Sequence, residues 1–101
     1  MKKVISTANL FVNKVKETGI RVDKAFLFGS HAKGKPKVYS DIDICIVSPN
    51  LGRDFIEETV RLNKISSQID SRIEAIPFDP ERLNDPYDPL AFEIRKYGIL
   101  L

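Results

Sequence analysis

The feature that most constrains this chain is a glycine–serine pair, Gly29-Ser30, followed after ten residues by Asp41-Ile42-Asp43 at the head of an apolar run. The run Ala25-Phe26-Leu27-Phe28 and the stretch Ile42 to Val47 both read as strands, so the Gly-Ser pair closes one strand and the aspartates open the next. Side chains alternate along a strand, which turns Asp41 and Asp43 to the same face with Cβ atoms roughly 6.5–7 Å apart. Ile42, Ile44 and Ile46 then point the other way, into a core. Two like charges about 5 Å apart repel by roughly 3 kcal/mol at an effective dielectric near 20. A fold tolerates this when a cation lies between them, and hard oxygen ligands suit magnesium. A metal site facing a small glycine-containing loop is the layout of an enzyme that transfers phosphoryl or nucleotidyl groups.

The remaining periodicities place helices around these strands. Val4, Ile5, Ala8, Phe11, Val12 and Val15 recur at helical spacing before Gly19, giving a first helix over about residues 2–18. Ile20 to Phe28 reads as the first strand, residues 29–40 as a loop, and Asp41 to Val47 as the second strand. Asp54 is an N-cap for a helix over about 55–68, with Phe55, Ile56, Val60, Leu62, Ile65 and Ile69 as its inner face. Ser71 to Phe78 alternates as a third strand; residues 79–88 form a loop with a short turn at Pro80 to Leu83. Asp88-Pro89 caps a last helix, Leu90 to Tyr97, ended by Gly98. The order α-β-β-α-β-α predicts an α+β, two-layer fold, a small mixed sheet covered by helices on at least one face.

At 101 residues the chain is expected to form a single domain, 1–101. A net charge of +2 is too small to argue for nucleic-acid binding. The lone Cys45 allows no intrachain disulfide, which points to a reducing cytoplasm. No apolar run is long enough to span a bilayer, so no membrane role is expected.

Nucleotidyl transfer needs anchored phosphates, one or two divalent ions and an aligned nucleophile. Asp41 and Asp43 can ligate the metals. Glu74 is the best third carboxylate, because it interrupts an otherwise apolar strand; Asp70, at a helix-to-strand junction, is the alternative. Gly29 lets backbone approach a phosphate, Ser30 adds a hydroxyl, and Lys33, Lys35 and Lys37 supply cations, with Lys33 the preferred contact. A Walker-type loop is absent.

The stretch Leu27 to Gly34 (LFGSHAKG) with Ser40 to Ile44 (SDIDI) resembles the minimal nucleotidyltransferases of the DNA polymerase β-like superfamily. Their motif is hydrophobic-Gly-Ser, ten residues, then Asp-x-Asp, and the spacing here meets it without a gap. Arg72 to Phe78 and Leu90 to Ile99 are similar to the third strand and closing helix of stand-alone members. The resemblance implies the polymerase β-like fold, ATP or another nucleoside triphosphate as donor, and a two-ion magnesium site on Asp41, Asp43 and Glu74. Gly29, Ser30 and Lys33 would hold the nucleotide. It further implies a helical HEPN-domain toxin partner, a tyrosine of which can be adenylylated, so that the chain acts as an antitoxin. Two positions depart from the commoner pattern: Lys33 stands where many relatives carry arginine, and Glu74 where many carry aspartate.

Rival readings remain open at this point. The domain could neutralise a partner by docking alone, without catalysis. Nucleic-acid tailing is disfavoured, since no RNA-binding extension is seen. A hydrolytic triad of Ser30, His31 and Asp41 is disfavoured too, because His31 directly follows Ser30. Cys45, Tyr87 and Tyr97 read as packing residues, and exposed apolar positions on the first and last helices could serve a partner or a homo-oligomer.

Overall fold

A computed structural model describes residues 1–37 and 40–101; Val38 and Tyr39, in the expected 29–40 loop, lie outside the described residues. Its elements are α1 (Lys2–Glu17), β1 (Lys24–Phe28), β2 (Ile42–Val47), α2 (Phe55–Ser66), β3 (Ile73–Phe78), α3 (Pro80–Leu83), α4 (Pro89–Tyr97) and β4 (Ile99–Leu100). The strands form one mixed sheet ordered β3-β2-β1-β4, with β2 parallel to β3 and β1 antiparallel to both β2 and β4. The α+β expectation holds, and helices cover both faces of the sheet.

Strand alternation divides the core. Ala25, Leu27, Ile42, Ile44, Ile46, Ile73 and Ala75 meet Ala8, Phe11, Val12 and Val15 of α1 and Leu62 of α2. On the other face Phe28, Cys45, Val47 and Phe78 meet Leu83, Ala91 and Ile94 of α3 and α4. Asp43 and Glu74 belong by alternation to this second face, near the start of β2 and β3. No helix is long and apolar enough to cross a membrane, among the described residues.

Four differences from the sequence reading have physical causes. The first strand starts at Lys24 rather than Ile20, because the Arg21 N–H turns to donate to Asn50 Oδ1 at 3.0 Å instead of extending the ladder. The phase of α2 is rotated: Phe55, Ile56 and Val60 are exposed, and its inward face is Glu58, Leu62 and Ser66, with Ile65 and Ile69 packed beside them. Glu58 drives that rotation. Its carboxylate accepts the backbone N–H groups of Gly52, Arg53 and Asp54 at 2.8, 3.2 and 3.2 Å, which ties the preceding turn to the helix. Third, Ile99–Leu100 adds a short edge strand on β1 after Gly98. Fourth, Tyr87 is not a packing residue; it is 91% exposed.

Candidate active site

Gly29 follows the last residue of β1 and adopts φ +74, a left-handed conformation that favours glycine. A Cβ here would stand 2.2 Å from Asp43 Oδ2, so any larger residue would collide with the aspartate. Gly29 thus serves the turn and the carboxylate beside it together. The chain then coils once: Lys33 N–H donates to Gly29 O at 3.1 Å and Lys35 N–H to Ser30 O at 3.0 Å. His31 is buried with Nε2 3.4 Å from Ser40 O, which fastens the loop back on itself and gives the imidazole a structural place outside any triad.

Asp43 sits on β2 opposite Phe28 of β1 and in register with Glu74 of the parallel strand β3. Neighbouring strands lie about 4.8 Å apart, so these two carboxylates share one face and one rung. Asn63 of α2 steadies this edge: its side chain accepts Ala75 N–H at 3.1 Å and donates to Ala75 O at 3.0 Å, one residue beyond Glu74. Asp41 lies just ahead of β2 and is exposed, as is Glu74, while Asp43 is half-buried.

Among the described residues no hydrogen-bond donor reaches the Asp43 carboxylate. Burial raises its pKa from 3.8 to about 6, and the charges of Glu74, Asp41 and Glu93 push the same way. Four acids therefore act on one spot. The site residues read from the sequence divide accordingly: Gly29, Asp43 and Glu74 adjoin, and Asp41 stands at the rim within electrostatic reach. Asp70 is committed elsewhere, its Oδ1 and Oδ2 held by Arg72 at 2.9–3.1 and 2.8 Å, which keeps its carboxyl below the usual range.

Lys33 departs from the simple picture of a free phosphate-binding cation. It is ion-paired with Glu93 of α4, and that hydrogen bond raises its pKa. Glu93 escaped the sequence reading. It sits among the apolar residues of the last helix, and only the rotation of α4 against a loop 60 residues earlier brings it to Lys33. Cys45, two residues after Asp43, is buried with its thiol pushed up to about 12 by desolvation, a core residue and not a nucleophile.

Magnesium fits this donor set by its chemistry: oxygen ligands only, mutually repelling, the innermost lacking any donor of its own. Among the described residues there is no group of three or more His, Cys, Asp or Glu side chains placed to hold a metal ion.

Residues 9–101 match the family model described as a nucleotidyltransferase domain. Among curated proteins none matches the chain. Solved structures share its fold at low identity. One, a crystal structure of a toxin-antitoxin with AMP-PNP, is 21% identical with a TM-score of 0.68, covering 92% of this chain and 70% of that one. A mutant of the toxin-antitoxin MntA-HpeT is 18% identical with a TM-score of 0.65 and the same coverage. A protein from Sulfolobus solfataricus, assigned as a nucleotidyltransferase, is 20% identical with a TM-score of 0.57, covering 99% of this chain and 86% of that one.

Proposed function

We infer a function from one premise: the chain belongs to the nucleotidyltransferase domain family. In our reading it transfers a nucleoside monophosphate, adenylate from ATP, onto a hydroxyl acceptor. That acceptor is a tyrosine of a helical HEPN-type toxin, and the chain acts as the antitoxin. The observation that carries the reading is the Asp43–Glu74 rung beside Gly29, where a donor-free carboxylate faces a backbone bend with no side chain in the way.

Asp41, Asp43 and Glu74 would hold magnesium, two ions in the fullest arrangement. Bound there, the metal would offset charge on the triphosphate and favour the alkoxide or phenolate form of the acceptor. The other residues of the site have separable tasks. Gly29 admits a phosphate close to the backbone, Ser30 offers its hydroxyl, and Lys33 supplies positive charge from the next turn. Asn63 ties the backbone of β3 at Ala75, next to Glu74, to α2. The partner assignment draws support from the toxin-antitoxin assemblies that share this fold, one of them solved with a nucleotide analogue.

The deciding experiment combines the chain with magnesium, labelled ATP and a candidate helical HEPN-type partner. Label should pass to the partner and vanish in Asp43→Asn, with neutralisation lost although the complex still forms. Neutralisation that survives Asp43→Asn would favour the rival reading of docking without catalysis.

A further inference from the structure

The ion pair between Lys33 and Glu93 links the loop after Gly29 to α4. Glu93 and Tyr97 are one helical turn apart, and both meet Lys33: Glu93 through its carboxylate, Tyr97 through its ring, whose centre is 5.4 Å from Lys33 Nζ. Lys33, Lys35 and Tyr97 line a cavity of about 310 Å³ beside the loop. The Lys33 and Glu93 side chains keep 40% and 30% of their exposure, and a pair that wet adds little to folding stability. What it does is occupy the cation that a phosphate would use. It also sets a fourth negative charge where a nucleotide tail would lie, since Glu93 is felt electrostatically at Asp43.

We propose that Glu93 is a positioning residue that competes with the nucleotide's phosphates for Lys33, and so sets how tightly a triphosphate is held. This rests on the transferase reading above. An arginine could meet both a carboxylate and a phosphate with its fork of donors; the compact ammonium of Lys33 makes the two acceptors closer rivals.

The test is calorimetric binding of a non-hydrolysable ATP analogue to the full chain with magnesium, comparing wild type, Glu93→Gln, Lys33→Met and the double variant, with adenosine as the phosphate-free control. Glu93→Gln should bind the analogue roughly three- to tenfold more tightly, and less so at high salt. Adenosine binding should not change. Lys33→Met should weaken analogue binding, and in its background the gain from Glu93→Gln should disappear. Glu93→Ala, checked by thermal melt, should reproduce the gain without relying on the amide. Unchanged or weaker binding in both Glu93 variants, or a gain that persists without Lys33, overturns the proposal while leaving the transferase reading intact. A wild type that binds adenosine and the analogue equally weakly overturns both.

Discussion

Glu58 and Asp43 are both acids turned in from the ends of regular elements, and the molecule treats them in opposite ways. Burial pushes the Glu58 carboxyl up, yet three backbone N–H donors outweigh it and hold the group below its usual range. Burial likewise pushes the Asp43 carboxyl up, but no donor among the described residues offsets it and three acidic neighbours add to it, so its pKa rises to about 6. The contrast separates an acid that shapes the backbone from one left without donors, which under the proposed function would take an outside cation.

Asp43→Asn should test that division most severely. Transfer should fall by at least ~10³-fold, on the order of 4 kcal/mol of transition-state stabilisation, measured as label incorporated into the partner. Glu58→Ala should do the reverse, costing about 2–4 kcal/mol of stability in a denaturant titration while the remaining folded protein still transfers label. If Glu58→Ala spared stability and abolished transfer, the roles would be exchanged. Gly29→Ala should cost about 1–3 kcal/mol from the left-handed backbone and should also reduce transfer, because its Cβ would press on Asp43 Oδ2. Combining it with Asp43→Asn should add little further loss of transfer, which sharpens the claim that the two residues act as one unit.

The smallest effect is in pH. The folded pKa of Asp43 lies above its ordinary value of 3.8, so folding favours its protonated form. The associated stability is whole below pH 3.8 and is lost as pH rises through about 6. Above that window the bare charge costs about 1–2 kcal/mol once solvent screening is allowed for. Protons also compete with the cation there, so the magnesium concentration giving half-maximal transfer should rise as pH falls below 6; a flat profile would remove Asp43 from the metal site.

The two regions were unequally legible in the sequence. Around Asp43 the period of two in Asp41-Ile-Asp-Ile fixes which face the acids take, and the interruption of Ile73-Ala75 by Glu74 marks the third, so both strands and the site face could be read. Their register, Asp43 against Glu74, is a long-range pairing that no local pattern encodes. Around Glu58 the reading failed. Phe55, Ile56 and Val60 mimic an inward stripe, and only the three donors of the preceding turn make a glutamate the better residue to bury. Glu93 and the strand Ile99–Leu100 were invisible for a related reason: each exists through a partner distant in the chain, Lys33 in one case and the free edge of β1 in the other.

The most direct measurement is the thermal stability of wild type and Asp43→Asn at pH 7.5, each with and without magnesium and a non-hydrolysable ATP analogue. Without ligands the variant should melt higher than wild type, and with them wild type should gain stability that the variant does not. A variant that melts lower in the absence of ligands, or that gains as much as wild type in their presence, would contradict the claim that Asp43 is left bare for a cation.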